Sequence, residues 1–437
     1  MAKTLVQSRY KCALAAMQTV HAIPRAIPIL HSGPGCSAKL NDNNGTSGMY
    51  SQNIFPCTSV SEKEVVFGGT DKLRSTIENS IKIIDADLFV VLTGCTQELI
   101  GDDVGEVVSE FEDAEKPVIF ANTPGFKGNN YVGHDWIMKA IFEQYLTRYS
   151  CGSSVKQKGL VNLFVSPPMQ DPFWLGNLRE LESLISELGL TVNTIFGHGR
   201  GLENINKIPQ AELNIAVTPW AGLESLKYVS DKYKTPLLHY PVLPIGAFET
   251  SKFLRAVAHA AHVQNDITDR VVNSKEEEYY YYVERYSDIF LEQRIMSKRF
   301  VLVCDAQYTL ALTKFLVNDL GMFPEIEFIT DDTPQKYRAA IEGEMHNLNY
   351  GIKADIEFSV DGAHIANRIR SIDFSGNPLI IGSSWERQIA QEVNGIFVNV
   401  SYPMVDRMVI NSRIAGYGGG LKLLEDMYSE ARFRLAL

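Results

Sequence analysis

Three of the six cysteines stand beside small residues at what read as element ends. They are Cys12 in SRYKCALAAM, Cys36 in LHSGPGCSAK and Cys95 in VLTGCTQELIGDD. Cys12 precedes a helix start, Cys36 follows a Gly-Pro-Gly turn, and Cys95 follows an apolar strand. Such positions can converge, because a parallel sheet collects its strand ends on one side. Small neighbours let an inorganic cluster approach the backbone, whose N–H groups can hydrogen-bond its sulfides and tune its potential. A closed iron–sulfur site usually takes four thiolates, so three is an odd number, and the spacing is no CxxC…CxxC pattern. Residue chemistry alone leaves metal ligand and buried inert thiol equally open for each. A fourth ligand has to come from another residue, another subunit or another chemistry. Cys304, in RFVLVCDA, reads as core, and Cys151 as an incidental loop residue. Cys57, in NIFPCTSVSEKEVVFGG, lies in the right region without a partner that the sequence identifies.

The elements that must position these residues alternate. The runs DLFVVLTG, KPVIFANTP, GLVNLFVSPP, TVNTIFG, LNIAVTPW, RFVLVCDA and PLIIGSSW read as strands buried on both faces. Amphipathic stretches such as LGNLRELESLISELG separate them. That alternation predicts an α/β fold of parallel sheets flanked by helices. It restarts near Lys158 and near Lys298, giving three units: 1–157, 158–297 and 298–437. The segment SKEEEYYYYVERYSDIFLEQRIMSKR reads as a connecting helix. Its Tyr279–Tyr282 run is equally compatible with packing on a neighbour and with a solvated face.

Net charge is −11 and no Lys/Arg stripe is visible, which argues against nucleic acid as a partner. No apolar run approaches the roughly 18 residues that span a bilayer, and the first residues lack a signal-peptide pattern. A cytoplasmic protein is the expectation, and six cysteines in so long a chain argue against a disulfide framework. FGGTDKLRSTIENS reads as a glycine turn opening a helix, yet neither GxGxxG nor GxxxxGK[ST] occurs. GYGGGLKLLEDM reads as a turn with close packing, so no nucleotide site is expected.

Glu98, Asp102 and Asp103 are read first as helix-start carboxylates, and second as groups that tune a cluster or meet a partner. His31 reads as a satisfied turn histidine in preference to a proton relay. Phe126 and Trp136 read as aromatic core, with a place near a partner as the alternative. His198 and His239 have no second ligand at metal spacing and receive no role.

In order, HSGPGC, PCTSVSEKEVVFGG, TGCTQELIGDD and NTPGF resemble the β (K-type) subunit of nitrogenase component 1 and its nitrogenase-like relatives. The resemblance continues through LNIAVTPWAGLESLKYVSDKY and PLLHYPVLPIGAFETSKFLRAV to YPMVDRMVINSRIAGYGGGLKLLEDM, nearly the whole chain. It implies three Rossmann-like α/β domains. It implies that Cys12, Cys36 and Cys95 supply half the ligands of a P-cluster, an eight-iron relay shared with an α (D-type) subunit. Three is then the right number. It further implies an α2β2 heterotetramer, an ATP-dependent iron–sulfur reductase protein as electron donor, and no catalytic residue in this chain. Thr218 stands where the α subunit would carry a cofactor-holding thiol.

The chain departs from the family pattern in places. Gly125, in NTPGF, replaces a serine that can ligate the oxidised cluster, and the turn before Cys36 is SGPGC. These departures point to a nitrogenase-like reductase, for example one resembling methylthio-alkane reductase, ahead of a dedicated dinitrogen reductase. The alternative is a scaffold subunit for nitrogenase cofactor assembly, which would hold a four-iron cluster.

Overall fold

The computed structural model describes residues 7–42, 55–150, 154–292 and 294–435. Cys151 and residues 43–53 of the polar segment after Cys36 lie outside them. Among the described residues the strands form three parallel sheets, each drawn from one stretch of chain. The first has the order β1 (Ala26–His31), β2 (Leu88–Thr93), β3 (Val118–Ala121). The second runs β5 (Thr191–Asn193), β4 (Leu160–Phe164), β6 (Leu213–Val217), β7 (Leu237–Tyr240). The third runs β10 (Ile356–Phe358), β9 (Phe323–Ile329), β8 (Arg299–Cys304), β11 (Leu379–Gly382), β12 (Ile396–Asn399). Helices flank the sheets, so the fold is α/β and Rossmann-like. No described helix is long and apolar enough to cross a membrane.

The sequence pattern explains the layering. Every residue of β2, β4 and β6 is buried, as a strand covered on both faces by helices requires. Pro28 interrupts β1, which a proline can do only at the rim of a sheet, and β1 is the outer strand of its sheet. Its free side is covered by residues 55–58: Leu30 N–H donates to the Pro56 carbonyl at 2.8 Å and Thr58 N–H to the Leu30 carbonyl at 2.9 Å.

Two readings change. GYGGG is helical, forming the start of the helix Gly416–Leu435. A Cβ at Gly420 would lie 2.7 Å from the Gly246 Cα, so the glycines let this helix press onto the helix Gly246–Ala260 of the second sheet's layer. The connecting helix starts earlier than expected, at Asn265, and ends at Arg285, with a short helix Ser287–Leu291 after it. Only Tyr279 of the tyrosine run is buried, edge-on to Tyr417 at 6.3 Å, while Tyr280, Tyr281 and Tyr282 remain exposed.

Candidate metal centre

Each thiol owes its place to a different device. Cys95 is the first residue of the helix Cys95–Ile100, reached directly from β2 through Gly94. Gly94 is required there because a Cβ would come 2.9 Å from the Ser32 Cβ. Cys36 lies in the helix Pro34–Asp42 that follows β1. Cys12 caps the short helix Ala13–Ala16 and bridges to Asn129.

Long-range contacts fix the Cys12 segment. Lys11 N–H donates to Asn130 Oδ1 at 2.7 Å, and Asn130 N–H donates to the Lys11 carbonyl at 3.0 Å. Trp385 Nε1–H donates to the Ser8 carbonyl at 3.2 Å, and Arg9 Nη2 meets Glu386 Oε1 at 2.6 Å. Both charged side chains are almost fully buried. Cys12 is thus held between the first and third sheets.

Cys12 and Cys95 meet around Gly125. Gly125 N–H donates to Cys95 Sγ at 3.2 Å. A Cβ at position 125 would collide with Cys12 Sγ and sit 3.4 Å from Cys95 Sγ. Partial burial, and then the charge of Cys95, push the Cys12 thiol up. Partial burial also raises Cys36, helped by the charges of Cys12, Cys95 and Cys57 in that order. Mutual repulsion of this kind makes bare thiolates costly together, and a bound cation removes that cost. Cys12 and Cys36 remain open to solvent, whereas Cys57 and Cys95 are half-buried. Among the described residues, no three Cys, His, Asp or Glu side chains are grouped for a single metal ion. A set of soft thiols spread wider than one ion's shell, with a backbone amide aimed at one sulfur, suits a multi-iron cluster, in which each iron takes its own thiolate.

The neighbouring side chains have structural partners. Asp103 caps the helix Val104–Ser109 by accepting from Glu106 N–H at 2.9 Å. Glu98 accepts from Thr93 Oγ1 at 2.8 Å and pairs with Lys127 at 3.2 Å. His31 is fully buried, with Nε2 3.0 Å from Asp102 Oδ2 and Nδ1 3.2 Å from Thr58 Oγ1. Cys304 is fully buried in β8, as expected for a core residue. His198 is exposed, and His239 Nε2 meets the Thr218 carbonyl at 2.8 Å. Trp136 is half-buried.

Phe126 corrects its core reading: it is 54% exposed, because the turn after β3 carries it outward beside the thiols. Val66 and Phe67, at 71% and 82% exposure, and Leu99, at 75%, are exposed nearby. Large apolar side chains bared beside one another mark a surface that another molecule covers.

A second polar region was not legible in the sequence. Asp171, Asp305 and Asp331 are buried where the carboxyl ends of β4, β8 and β9 approach β6. Trp220 Nε1–H donates to Asp331 Oδ2 at 2.9 Å, and Tyr308 O–H to Asp171 Oδ1 at 2.6 Å. Ligands of α/β proteins occupy such crevices. Here Trp220, Tyr131 and Tyr308 fill it and leave about 10 Å³, space for no more than about one water. Thr218 lies at its edge, its hydroxyl donating to the Ala221 carbonyl at 3.1 Å.

The sequence over nearly the whole chain assigns it to an oxidoreductase family. A family model described as nitrogenase component 1 type oxidoreductase matches residues 12–432, and the chain belongs to that family. It is 26% identical to the nitrogenase molybdenum-iron protein beta chain of Frankia alni, over 95% of this chain and 80% of that one. It is 24% identical to the corresponding beta chain of Clostridium pasteurianum, over 95% and 90%. The nitrogenase iron-iron protein beta chain of Rhodobacter capsulatus is also 24% identical, over 93% and 89%. A solved structure of nitrogenase Cp1 at pH 6.5 has the same fold, with a TM-score of 0.82 at 21% identity, covering 100% of this chain and 94% of that one.

Proposed function

We propose that this chain is the electron-relay β (K-type) subunit of a nitrogenase-like component 1 reductase. Cys12, Cys36 and Cys95 hold one side of a P-cluster-type iron–sulfur cluster, and an α (D-type) subunit holds the other. The observation that carries this reading is the meeting of Cys12 and Cys95 at Gly125, with Cys36 in the helix after β1, the strand beside the one leading to Cys95, and with Phe67, Leu99 and Phe126 bared. When bound, the cluster accepts and passes on single electrons.

The chain's own contribution is placement. The Arg9–Glu386 contact fixes the Cys12 segment, Gly94 and Gly125 keep the approach to the sulfurs clear, and the Gly125 amide stabilises negative charge on Cys95. The exposed apolar residues fit the α subunit of an α2β2 heterotetramer, which an ATP-dependent iron–sulfur reductase protein would serve. Substrate reduction belongs to the α subunit, in line with the aromatic filling of this chain's own crevice. The departures at Gly125 and SGPGC favour methylthio-alkanes over dinitrogen as the substrate class. We take 1–157, 158–297 and 298–437 as the three working units, in a cytoplasm kept free of oxygen.

The test is iron analysis and electron paramagnetic resonance of the complex purified anaerobically with its α-type partner. About eight irons per αβ pair at the shared site support the relay, with loss of the signal in Cys95→Ala. About four irons at that site support the assembly scaffold instead, and unchanged iron in Cys95→Ala overturns both.

A further inference from the structure

Cys57 is the thiol without a partner in the sequence, and the structure gives it a setting. The pairing of residues 55–58 with β1 carries Cys57 alongside Leu30 and up to the turn that leads to Cys36. Its Sγ accepts Ser59 N–H at 3.3 Å and lies 3.6 Å from Ser32 Oγ. Ser32 packs against Gly94, the residue before Cys95. Ser32, which Cys57 contacts, joins β1 through Gly33 to the helix Pro34–Asp42 that carries Cys36, and lies against Gly94 ahead of Cys95. Cys57 is half-buried, so its sulfur is not sealed into the core as Cys304 is. Four of the five described cysteines thus gather at one end of the first sheet.

We propose that Cys57 is a fourth thiol ligand, which lets this chain alone, before its partner joins, hold a four-iron cluster through Cys12, Cys36, Cys57 and Cys95. The inference rests on the reading that the first sheet's thiols bind iron and sulfide, and extends it. Four thiolates are the usual complement of a closed four-iron site, one to each iron, and each thiol releases its proton on binding. In the shared assembly the partner's thiols complete the set. Cys57 is then needed only while the chain is by itself.

The experiment uses the full chain expressed without its partner and reconstituted under argon with equal amounts of ferrous and ferric iron and with sulfide, so that a cluster of two ferrous and two ferric irons forms without an outside oxidant. Iron, acid-labile sulfide and the dithionite-reduced paramagnetic signal are measured after desalting. About four irons per chain are expected, with at least a twofold loss in Cys57→Ala and none in Cys304→Ala. No iron on the wild-type chain, or equal iron, signal and chelator release rate in Cys57→Ala, overturns the proposal. If Cys57→Ala does not fold, thiol alkylation of the loaded wild-type chain decides. Protection of Cys57 together with Cys12, Cys36 and Cys95 supports it, and labelling of Cys57 at the metal-free rate overturns it. A complex that loses iron in Cys95→Ala while the lone chain ignores Cys57→Ala sinks this inference and leaves the relay reading standing.

Discussion

The His31 imidazole meets the Asp102 carboxylate at 3.0 Å, and through this buried contact three segments share one anchor. His31 ends β1 ahead of the Cys36 turn, and Asp102 follows the helix that Cys95 begins. The same carboxylate accepts Gly69 N–H at 2.8 Å, just beyond the exposed Val66 and Phe67. A carboxylate with two buried donors is costly to replace by an amide, because one of the donors then faces an NH2 group instead of an acceptor.

Asp102→Asn should therefore destabilise the chain by about 1–3 kcal/mol, read as a lower urea midpoint at unchanged slope. Burial lowers the His31 pKa, more than the nearby Asp102 raises it. The folded state thus resists protonation that the unfolded chain accepts below about 6.5. The stability from this group is present above that pH and lost as pH falls through it. His31→Gln should flatten that part of the stability profile.

Gly125→Ala separates packing from ligation. The new methyl group would strike Cys12 Sγ, the end of a side chain that can swing aside in a metal-free chain. The metal-free protein should lose less than about 1 kcal/mol of stability. A sulfur bound to iron cannot swing, so iron retained by the complex after chelator challenge should fall several-fold. Equal retention by both proteins would show that Gly125 does not crowd the ligated sulfurs.

Arg9→Ala leaves the Glu386 carboxylate buried without its cation. Removing one member of such a pair costs about 3–5 kcal/mol. Thermal unfolding should occur markedly earlier, and alkylation relative to the wild type should speed up more at Cys12 than at Cys95, because the segment holding Cys12 loses its anchor on the third sheet.

Asp305 has its pKa pushed up to about 7, by burial first and then by the charge of Asp331. The folded state binds this proton more tightly than the unfolded chain. The contribution to stability is therefore greatest at acid pH and is lost between about 4 and about 7. Asp305→Asn should gain on the wild type across that window, by on the order of 1–3 kcal/mol, and the difference should level off above it. Denaturant titrations at pH 5, 6, 7 and 8 check the sign.

The sheets were largely legible because their central strands are unbroken apolar runs. DLFVVLTG, LNIAVTPW and RFVLVCDA became β2, β6 and β8. TVNTIFG likewise gave β5, whereas the three-residue β10 depends on pairing with its neighbour and Pro28 disguises β1, so local pattern says less about those two. Cys12, Cys36 and Cys95 could be singled out because each adjoins an element end. The setting of Cys57 depends on the bridge to Leu30, which no spacing rule encodes. His31 and Asp102 were each visible, but their union joins residues 71 positions apart. Phe126 was misread because an aromatic residue after a strand is core by default, and only the turn geometry turns it outward.

Arg9 and Glu386 lie 377 positions apart. A ribosome making this chain must release most of the polypeptide before the partner that fixes the Cys12 segment exists. Cys36 and Cys95 can take their places on the first sheet long before that. On the proposed reading, metal delivery to the complete thiol set is thus an event for the finished chain, and a nascent or truncated product exposes an unfinished set.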